Sequence, residues 1–136
     1  SHKEAIHCIE SNIAHLKVED KTQVLRGEAF TMLKWLEQRG ETFDIIYADP
    51  PYKTFAPHSS QFYSAQILQW LDTHSLLNSG GLLFIEEEFH SQPQIAHLET
   101  LKLKDSRRMG HAALQQYQKM KIEDGKLNLD TENDST

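Results

Sequence analysis

The sequence predicts an α/β fold, a partial Rossmann-like arrangement with a mainly parallel sheet and a C-terminal antiparallel hairpin. Helical and strand patterns alternate along the chain as far as Glu86, and two further strand-like segments then flank Met109-Gly110-His111, as in a hairpin. With 136 residues, of which 38% are apolar, the chain can bury one sizeable core. We therefore expect one domain and not two.

Three segments have the spacing of amphipathic helices, because apolar residues recur every three or four positions. They are Glu4 to Leu16, Ala29 to Gln38 and Phe62 to Leu71. Gly40 follows the second segment, where a helix C-terminal glycine is common. We expect Trp35 and Trp70, which lie in these helices, to be packing residues.

Five segments have the pattern of strands. The apolar run from Phe43 to Asp49 is nearly continuous, which favours a parallel strand covered on both faces, and Pro50-Pro51 ends it. We predict a turn at Asn78 to Gly81. The other strand candidates are Gln23 to Leu25, Leu82 to Glu86, Leu101 to Arg107 and Ala113 to Lys119.

The charge is unevenly distributed along the chain. There are 14 Lys plus Arg and 20 Asp plus Glu, a net charge of -6, and much of the excess lies in residues 123–136, which contain few large apolar side chains. We predict a folded domain over residues 1–122 and a disordered acidic tail over residues 123–136. Because the body is nearly neutral, its charge does not exclude an RNA partner.

Composition also predicts the compartment. Cys8 is the single cysteine, so the chain can form no internal disulfide. No apolar run reaches the ~18 residues of a membrane span, and no leader pattern opens the chain. These features predict a cytoplasmic protein without a membrane partner.

The segment Asp49-Pro50-Pro51-Tyr52 follows the most apolar strand candidate, at the end of the sheet where open α/β folds bind ligands. The prolines carry no N–H, so the Asp49 carboxylate and the Pro50 carbonyl are acceptors without neighbouring backbone donors. The Tyr52 ring can stack on a base, which is worth ~1–3 kcal/mol. The combination fits a nucleobase with an exocyclic amine, whose lone pair these acceptors direct toward an electrophile.

Several motifs have a second interpretation. Asp49 to Tyr52 can be only a turn after a buried strand. Glu86-Glu87-Glu88 fits either a metal site or a solvated acidic loop, and we favour the loop and predict no metal site, because no His/Asp cluster of suitable spacing accompanies it. Arg107-Arg108 fits either an exposed hairpin pair or a contact with nucleic acid.

The segment from Phe43 to Tyr52 resembles the strand and catalytic loop of amino-group methyltransferases that use S-adenosylmethionine. The wider arrangement is similar to the RsmD-type 16S ribosomal RNA guanine-N2 methyltransferases and spans roughly residues 3–120. Further segments carry this resemblance: the helix Glu4 to Leu16, the turn Arg26 to Phe30, the strand Gly81 to Glu87 and the hairpin Leu101 to Lys119.

The resemblance implies roles for individual residues. Asp49, Pro50 and Pro51 hold the guanine N2 amino group, and Tyr52 stacks on the flipped base. Two residues bind the cofactor S-adenosylmethionine: Glu28 near the adenine amino group, and Ala29 through its N–H to an adenine ring nitrogen. The resemblance and the phosphate chemistry of RNA together make Lys53, Arg107 and Arg108 candidates for RNA phosphate contacts.

The chain departs from the family at its beginning. The family starts with a strand and a glycine-rich loop that cradles the methionine part of the cofactor, whereas this chain contains no G-x-G and resembles the C-terminal two-thirds of the domain. Without that strand, the strand that ends at Asp49 has an unpaired apolar edge beside it, here called the seam. A second chain can cover this seam. We expect the chain alone to bind the cofactor weakly or not at all.

Three functions follow from these observations. The first is methylation of a guanine N2 amine in 16S ribosomal RNA, as naked RNA or as a small-subunit assembly particle. The second is methylation of adenine N6 or cytosine N4 in DNA, and the third is a non-catalytic remnant that acts as an assembly module. The late hairpin and the lack of a separate target-recognition domain favour RNA.

Overall fold

The computed structural model describes residues 2–52, 55–56, 60–89, 97–123 and 126–128. The chain divides into two compact units, Ser1–Trp35 and Leu36–Thr136. Among the described residues, no helix is long and apolar enough to cross a membrane.

The first unit contains helix α1 (His2–Leu16), a 3-10 turn (Glu19–Lys21) and the start of helix α2 (Ala29–Gln38). Helix α1 ends at Leu16, the following Lys17 has a left-handed φ of 56°, and the N–H of Val18 donates to the Ile13 carbonyl at 3.2 Å. This bond closes the last turn as in a Schellman motif. Both helices are confirmed as predicted.

The predicted strand from Gln23 to Leu25 is wrong. These residues adopt no regular secondary structure, and none of the described strands pairs with them. A strand is stabilised by hydrogen bonds to a neighbouring strand, so a short apolar segment without such a neighbour remains irregular.

The second unit is a four-stranded sheet in the order β1-β2-β4-β3, with helix α3 (Tyr63–Thr73) between β1 and β2 in sequence. The strands are β1 (Phe43–Ala48), β2 (Leu77–Glu88), β3 (Leu101–Met109) and β4 (Ala112–Lys119). Strands β1 and β2 are parallel, whereas β2–β4 and β3–β4 are antiparallel. The α/β class and the C-terminal hairpin are confirmed. The sheet is mixed and not mainly parallel, since β1–β2 is the one parallel pair among its three described pairings.

A second, small hairpin follows the sheet. Strand β5 (Lys121–Glu123) pairs with strand β6 (Lys126–Asn128) in antiparallel register. These strands overlap the beginning of the acidic segment 123–136, and residues 129–136 lie outside the described residues.

The core lies between α3 and one face of the sheet. Along β2 buried and half-buried residues alternate from Gly81 to Glu88, because successive side chains of a strand point to opposite faces. The largest fully buried side chains are Leu68, Leu71, Leu76, Leu77, Leu83 and Ile85. Trp70 is half-buried and stacks on His74 with a centroid distance of 4.1 Å, whereas Trp35 is 37% exposed.

Strand β1 lies at the edge of the sheet. Phe43, Ile45 and Tyr47 are 38%, 64% and 58% exposed, so the prediction that this strand is covered on both faces is wrong. Phe43, Ile45 and Tyr47 occupy alternate positions, so they share one face of β1, and it is this face that is exposed. Strand β2 pairs with one side of β1, and no described strand pairs with the other. We predict an exposed apolar surface beside the strand that ends at Asp49, because the chain lacks the family's first strand. The exposed apolar residues of β1 lie at this position.

The predicted turn at Asn78 to Gly81 lies inside β2 as an irregularity. Phe43 pairs with Leu77 but Ile45 pairs with Leu82, so the intervening residues of β2 bulge out of register. The Asn78 side-chain amide donates to Asp44 Oδ1 at 2.9 Å and holds this bulge against β1.

A buried aspartate joins α3 to the start of β3. The Asp72 carboxylate accepts the backbone N–H groups of Glu99, Thr100 and Leu101, each at 2.8 Å. Burial alone raises the pKa of Asp72, but these three hydrogen bonds outweigh it and lower the pKa below its usual value. The ionised carboxylate therefore fixes the entry to β3.

A buried lysine closes the other side of this junction. Lys119 Nζ at the end of β4 donates to the carbonyls of Leu71, Asp72 and His74 at 2.8, 3.2 and 3.0 Å. These carbonyls end α3 and lack helical partners, and a cation at a helix C-terminus is also favoured by the helix dipole.

Candidate active site

The motif Asp49-Pro50-Pro51-Tyr52 follows β1 directly, and Glu86 to Glu88 end β2 beside it. Because β1 and β2 are parallel, their carboxyl ends meet at one edge of the sheet. A shallow pocket, open to solvent, lies there. Its lining residues are Pro50, Pro51, Tyr52, Phe62, Ser64, Glu86, Glu87 and Glu88.

One carboxylate fixes two tyrosines at this edge. Glu86 accepts the Tyr47 hydroxyl at 2.6 Å and the Tyr52 hydroxyl at 2.9 Å. The two hydrogen bonds lower the pKa of Glu86, and the hydrogen bond to Glu86 raises the pKa of Tyr47 to about 12 and also raises that of Tyr52. Both phenols therefore remain neutral donors at physiological pH, and the Tyr52 ring is held in one orientation.

Asp49 lies near this cluster. It is exposed, and its charge contributes to the raised pKa of Tyr47 and Tyr52, after the larger effects of Glu86 and desolvation. The next residue, Pro50, is buried. Asp49, the two prolines and Tyr52 thus lie at the carboxyl end of β1, where the sequence predicts them.

The loop after the motif is closed by two phenylalanines. Phe55 and Phe62 form an isolated antiparallel bridge, and their rings stack with a centroid distance of 5.1 Å. The N–H of Ala56 donates to the Gln61 carbonyl at 3.0 Å, and Ala56 is buried. Lys53, predicted to contact RNA, lies outside the described residues.

Glu87 differs from its neighbours in being buried. Its residue is 3% exposed, and neither carboxylate oxygen has a hydrogen-bond partner among the described residues. Burial raises the pKa of Glu87 to about 7, an effect that the nearby Ser64 hydroxyl partly opposes. The prediction of a solvated acidic loop at Glu86 to Glu88 is therefore wrong: these residues belong to β2, and Glu87 faces the side of the sheet that α3 covers.

The sequence contained a signal that could have identified Glu87. Leu83, Ile85 and Glu87 occupy alternate positions of one strand, so a two-residue period places all three on the same face. The strand predicted from the apolar pattern ends at Glu86, and the segment that carries the family resemblance ends at Glu87, but neither was used to assign Glu87 to that face.

The structure describes the two cofactor candidates in the first unit, whereas the motif at Asp49 lies in the second. Glu28 Oε2 accepts the backbone N–H of Thr31 at 2.9 Å and its hydroxyl at 3.2 Å, which caps α2. The Thr31 N–H is the main cause that lowers the pKa of Glu28. Ala29 is exposed, and its N–H belongs to the first helical turn, which has no intrahelical acceptor.

This pair fits the edge of an adenine ring. An ionised carboxylate has up to four acceptor positions, so capping α2 leaves Glu28 able to accept an amino group. The adjacent Ala29 N–H can donate to a ring nitrogen. One acceptor and one donor side by side match the amino group and the neighbouring nitrogen of adenine.

The two arginines are held differently. Arg107 Nε bonds Asp105 Oδ2 at 2.7 Å within β3. Arg108 Nε donates to the Gly110 carbonyl at 3.0 Å, and its guanidinium lies 4.2 Å from the centroid of the Phe89 ring. Since Phe89 directly follows Glu88 of β2, the structure places Arg108 next to the pocket edge of the sheet.

The described residues include no group of three or more His, Cys, Asp or Glu side chains placed to hold a metal ion.

Comparison with known proteins identifies similar chains. The family model described as Conserved hypothetical protein 95 matches residues 1–118. A conserved hypothetical protein of Streptococcus pyogenes has a TM-score of 0.68 and 22% identity over 85% of this chain and 66% of that one. The candidate methyltransferase yhhF of Escherichia coli has a TM-score of 0.59 and 22% identity over 82% of this chain and 54% of that one.

A third structure is described as a candidate S-adenosylmethionine-dependent methyltransferase of Streptococcus mutans. Its TM-score is 0.54, with 16% identity over 78% of this chain and 34% of that one. No curated protein matches the chain in sequence. The chain thus spans 66% and 54% of the lengths of the first two structures, and at these identities the likeness establishes the fold.

Proposed function

The chain belongs to the RsmD-like methyltransferase family described as Conserved hypothetical protein 95, and from this premise we propose that it methylates the N2 amine of a guanine in 16S ribosomal RNA. The observation that carries the proposal is the arrangement of Tyr52 at the pocket. Glu86 holds its ring beside an acceptor-rich turn that contains Asp49 and two prolines. A flat ring next to acceptors suits a planar group that carries N–H donors.

The chemistry of the turn supports amine methylation. The Asp49 carboxylate and the Pro50 carbonyl accept the two hydrogens of the amine, which directs the nitrogen lone pair away from them. The C–N bond would form as the methyl–sulfur bond of the donor breaks, with the neutral thioether as the leaving group. The nitrogen becomes positive in this step, and the Asp49 carboxylate would stabilise the charge until the amine loses one proton to solvent. The target base reaches the pocket by flipping out of its stack and is held against Tyr52.

S-adenosylmethionine is the proposed cofactor, and it supplies the electrophilic methyl group. The fit of Glu28 and Ala29 to an adenine edge supports this proposal. Glu28 accepts the adenine amino group, and the Ala29 N–H donates to the ring nitrogen. The capping bond to Thr31 holds the Glu28 carboxylate in place for this contact.

The proposed partner is ribosomal RNA or a small-subunit assembly particle, met in the cytoplasm and not at a membrane. Arg107, Arg108 and Lys53 contact RNA phosphates in this proposal. Support comes from Arg108, whose stacking on Phe89 places a cation beside the pocket edge. A second chain, or a further segment, covers the exposed edge of β1.

A second candidate function is a non-catalytic assembly module, and the exposed apolar edge of β1 favours it. Calorimetric titration of the chain with S-adenosylhomocysteine separates the two candidates. Binding with micromolar affinity supports the enzyme. Absence of binding in the natural full-length protein supports the module. The DNA alternative is distinguished by offering adenine and cytosine substrates in the same assay.

We predict that Asp49→Ala abolishes methylation with little loss of stability. Asp49 is exposed at a strand end, so its removal leaves no cavity, whereas the loss of one charge-stabilising group at a reaction centre costs about 100-fold or more in rate. The measurement is transfer of labelled methyl groups to 16S ribosomal RNA by the natural full-length protein.

Glu41→Ala is the matched control. Glu41 is exposed and precedes β1, so the change removes the same charge at the opposite end of the strand. We expect this variant to retain its activity. An Asp49→Ala protein that methylates at the normal rate would contradict the proposed function.

A further inference from the structure

Glu87 is a buried acceptor without a partner, and it lines the same pocket as Pro50, Pro51 and Tyr52. Its two carboxylate oxygens accept no hydrogen bond among the described residues. Burying a polar group without a partner carries a desolvation cost, and the cost is larger if the group is charged. A buried acceptor that faces a pocket is satisfied most directly by a donor on the ligand.

Among the described residues, the Ser64 hydroxyl is the one neighbouring donor that acts on Glu87, and it forms no hydrogen bond of normal geometry with either carboxylate oxygen. Tyr117 on β4 is buried, but its hydroxyl donates to Gln115 Oε1 at 2.9 Å. Glu86 already receives two phenol hydroxyls and is itself an acceptor. The prolines of the facing turn have no N–H. Ser64 on α3 is the one hydroxyl among the pocket-lining residues other than Tyr52, whose hydroxyl is bonded to Glu86.

We propose that Glu87 is a specificity-determining residue that accepts the ring N1–H of guanine, next to the N2 amine held at Asp49. This inference rests on the proposed function and deepens it. Guanine presents its N1–H and its amine side by side as donors. Adenine and cytosine instead present an unprotonated ring nitrogen beside their amines, and this lone pair repels an ionised carboxylate.

The same geometry makes the selection depend on pH. The groups that act on Glu87 from neighbouring elements are Ser64 on α3 and Tyr117 on β4. Glu86 and Glu88 adjoin it on β2 and line the same pocket, but their side chains point to the opposite face of the strand. With its pKa raised to about 7 by burial, Glu87 is protonated in slightly acidic solution and can then donate to adenine N1. Preference for guanine therefore increases as the pH rises through 7.

The test measures nucleoside binding by the full chain at pH 8, with the Glu87 carboxyl carbon observed by NMR. Four probes separate the two donors: guanosine has both, inosine has only the N1–H, 1-methylguanosine has only the amine, and adenosine has the amine beside an acceptor. We expect guanosine to bind about tenfold more tightly than 1-methylguanosine and to lower the pKa of Glu87, since a charge-assisted hydrogen bond is lost with the N1–H.

The variant Glu87→Gln provides the second arm. Its amide can both donate and accept, so we expect the preference for guanosine over 1-methylguanosine to fall below about threefold and adenosine binding to improve. A purely structural role for Glu87 does not produce this gain for adenosine. Glu41→Gln is the control and should leave all four affinities unchanged.

The outcomes are distinguishable. Equal binding of guanosine and 1-methylguanosine by the unmodified chain overturns the role of Glu87, and this comparison needs no variant to fold. Guanosine binding that is no tighter than inosine binding and is unaffected by Asp49→Ala overturns the proposed function instead. Absence of binding by all four nucleosides overturns both.

Discussion

Two adjacent glutamates at the end of β2 have opposite acid–base properties. Glu86 accepts two phenol hydroxyls, which lower its pKa, whereas burial raises the pKa of Glu87 to about 7. The cause is the alternation of a strand, which points neighbouring side chains to opposite faces of the sheet. Glu86 therefore stays ionised and holds the Tyr52 hydroxyl, whereas the adjacent Glu87 can change its charge near neutral pH.

At the residue scale we predict that Glu87→Gln stabilises the protein at pH 8 but not at pH 5. The folded-state pKa of Glu87 lies above its unfolded value, so the folded chain binds the extra proton and loses stability as the pH rises from about 4.5 to 7. The neutral amide avoids this loss. We expect the free energy of unfolding in urea to increase by about 2 kcal/mol at pH 8.

The control for this prediction is Glu41→Gln, whose side chain is exposed and should show no such difference between the two pH values. An equal change in stability at pH 5 and pH 8 for Glu87→Gln would show that packing, and not ionisation, is responsible.

The position of the candidate site could be predicted from the sequence, but its internal contacts could not. The location of Asp49 at a strand end follows from a local pattern, an apolar run that two prolines interrupt. The contact of Tyr52 with Glu86 joins residues 34 positions apart. The burial of Glu87 likewise depends on α3 and β4, which no local pattern contains.

At the element scale, long periodic segments were predicted well because their period repeats over several turns. All three predicted helices and the four predicted strands from Phe43 onward form, with ends that differ by a few residues, whereas the small β5–β6 hairpin was not predicted. The failures are short or irregular: Gln23 to Leu25 lacks a partner strand, and Asn78 to Gly81 forms a bulge inside β2. Both depend on a neighbouring strand, which the sequence does not specify.

We predict that Asp72→Ala destabilises the second unit strongly. The change removes the acceptor of three backbone N–H groups at the start of β3 and leaves them unsatisfied near the core. We expect the free energy of unfolding to fall by about 2–4 kcal/mol. Urea denaturation is the measurement, with the exposed Asp20→Ala as control; a loss below about 1 kcal/mol would contradict the assigned role of Asp72.

We predict that Gly81→Ala is also destabilising. A Cβ at this position would lie 2.8 Å from the Asn78 carbonyl oxygen and 3.0 Å from that of Asp44, so backbone has to move. We expect a loss of about 1–3 kcal/mol, the usual cost of overpacking. The neighbouring exposed Ser79→Ala should have little effect, and equal stability of the two variants in thermal unfolding would argue against a close approach at the bulge.

At the scale of the whole molecule, the order of the strands determines which surface is exposed. Strand β1 has the most continuous apolar sequence, which is typical of an interior strand, and yet it lies at the edge of the sheet. Sequence alone indicates that a strand is apolar but not how many neighbours it has. The related structures are longer than this chain, as the coverage of 54% to 66% shows.

We predict that the chain self-associates through the edge of β1 as its concentration rises, because an exposed apolar edge strand pairs readily with other chains. Ile45→Lys should weaken this association without loss of stability, since Ile45 is 64% exposed. Sedimentation at several concentrations is the measurement. Leu103→Lys, an equally polar change at an exposed position of β3, tests whether the effect is specific to β1; an equal reduction by both variants would contradict this prediction.

The contact between Lys119 and the end of α3 has a consequence for how the chain folds during synthesis. Lys119 and Leu71 are 48 residues apart, so the carbonyls that end α3 obtain this partner only after β4 has left the ribosome. At about 5–20 residues per second, the delay is about 2–10 s. During that interval β1 and β2 can pair, but the helix that covers them has an unfinished end. The residues at the pocket edge are therefore synthesised several seconds before Lys119 can stabilise the end of α3.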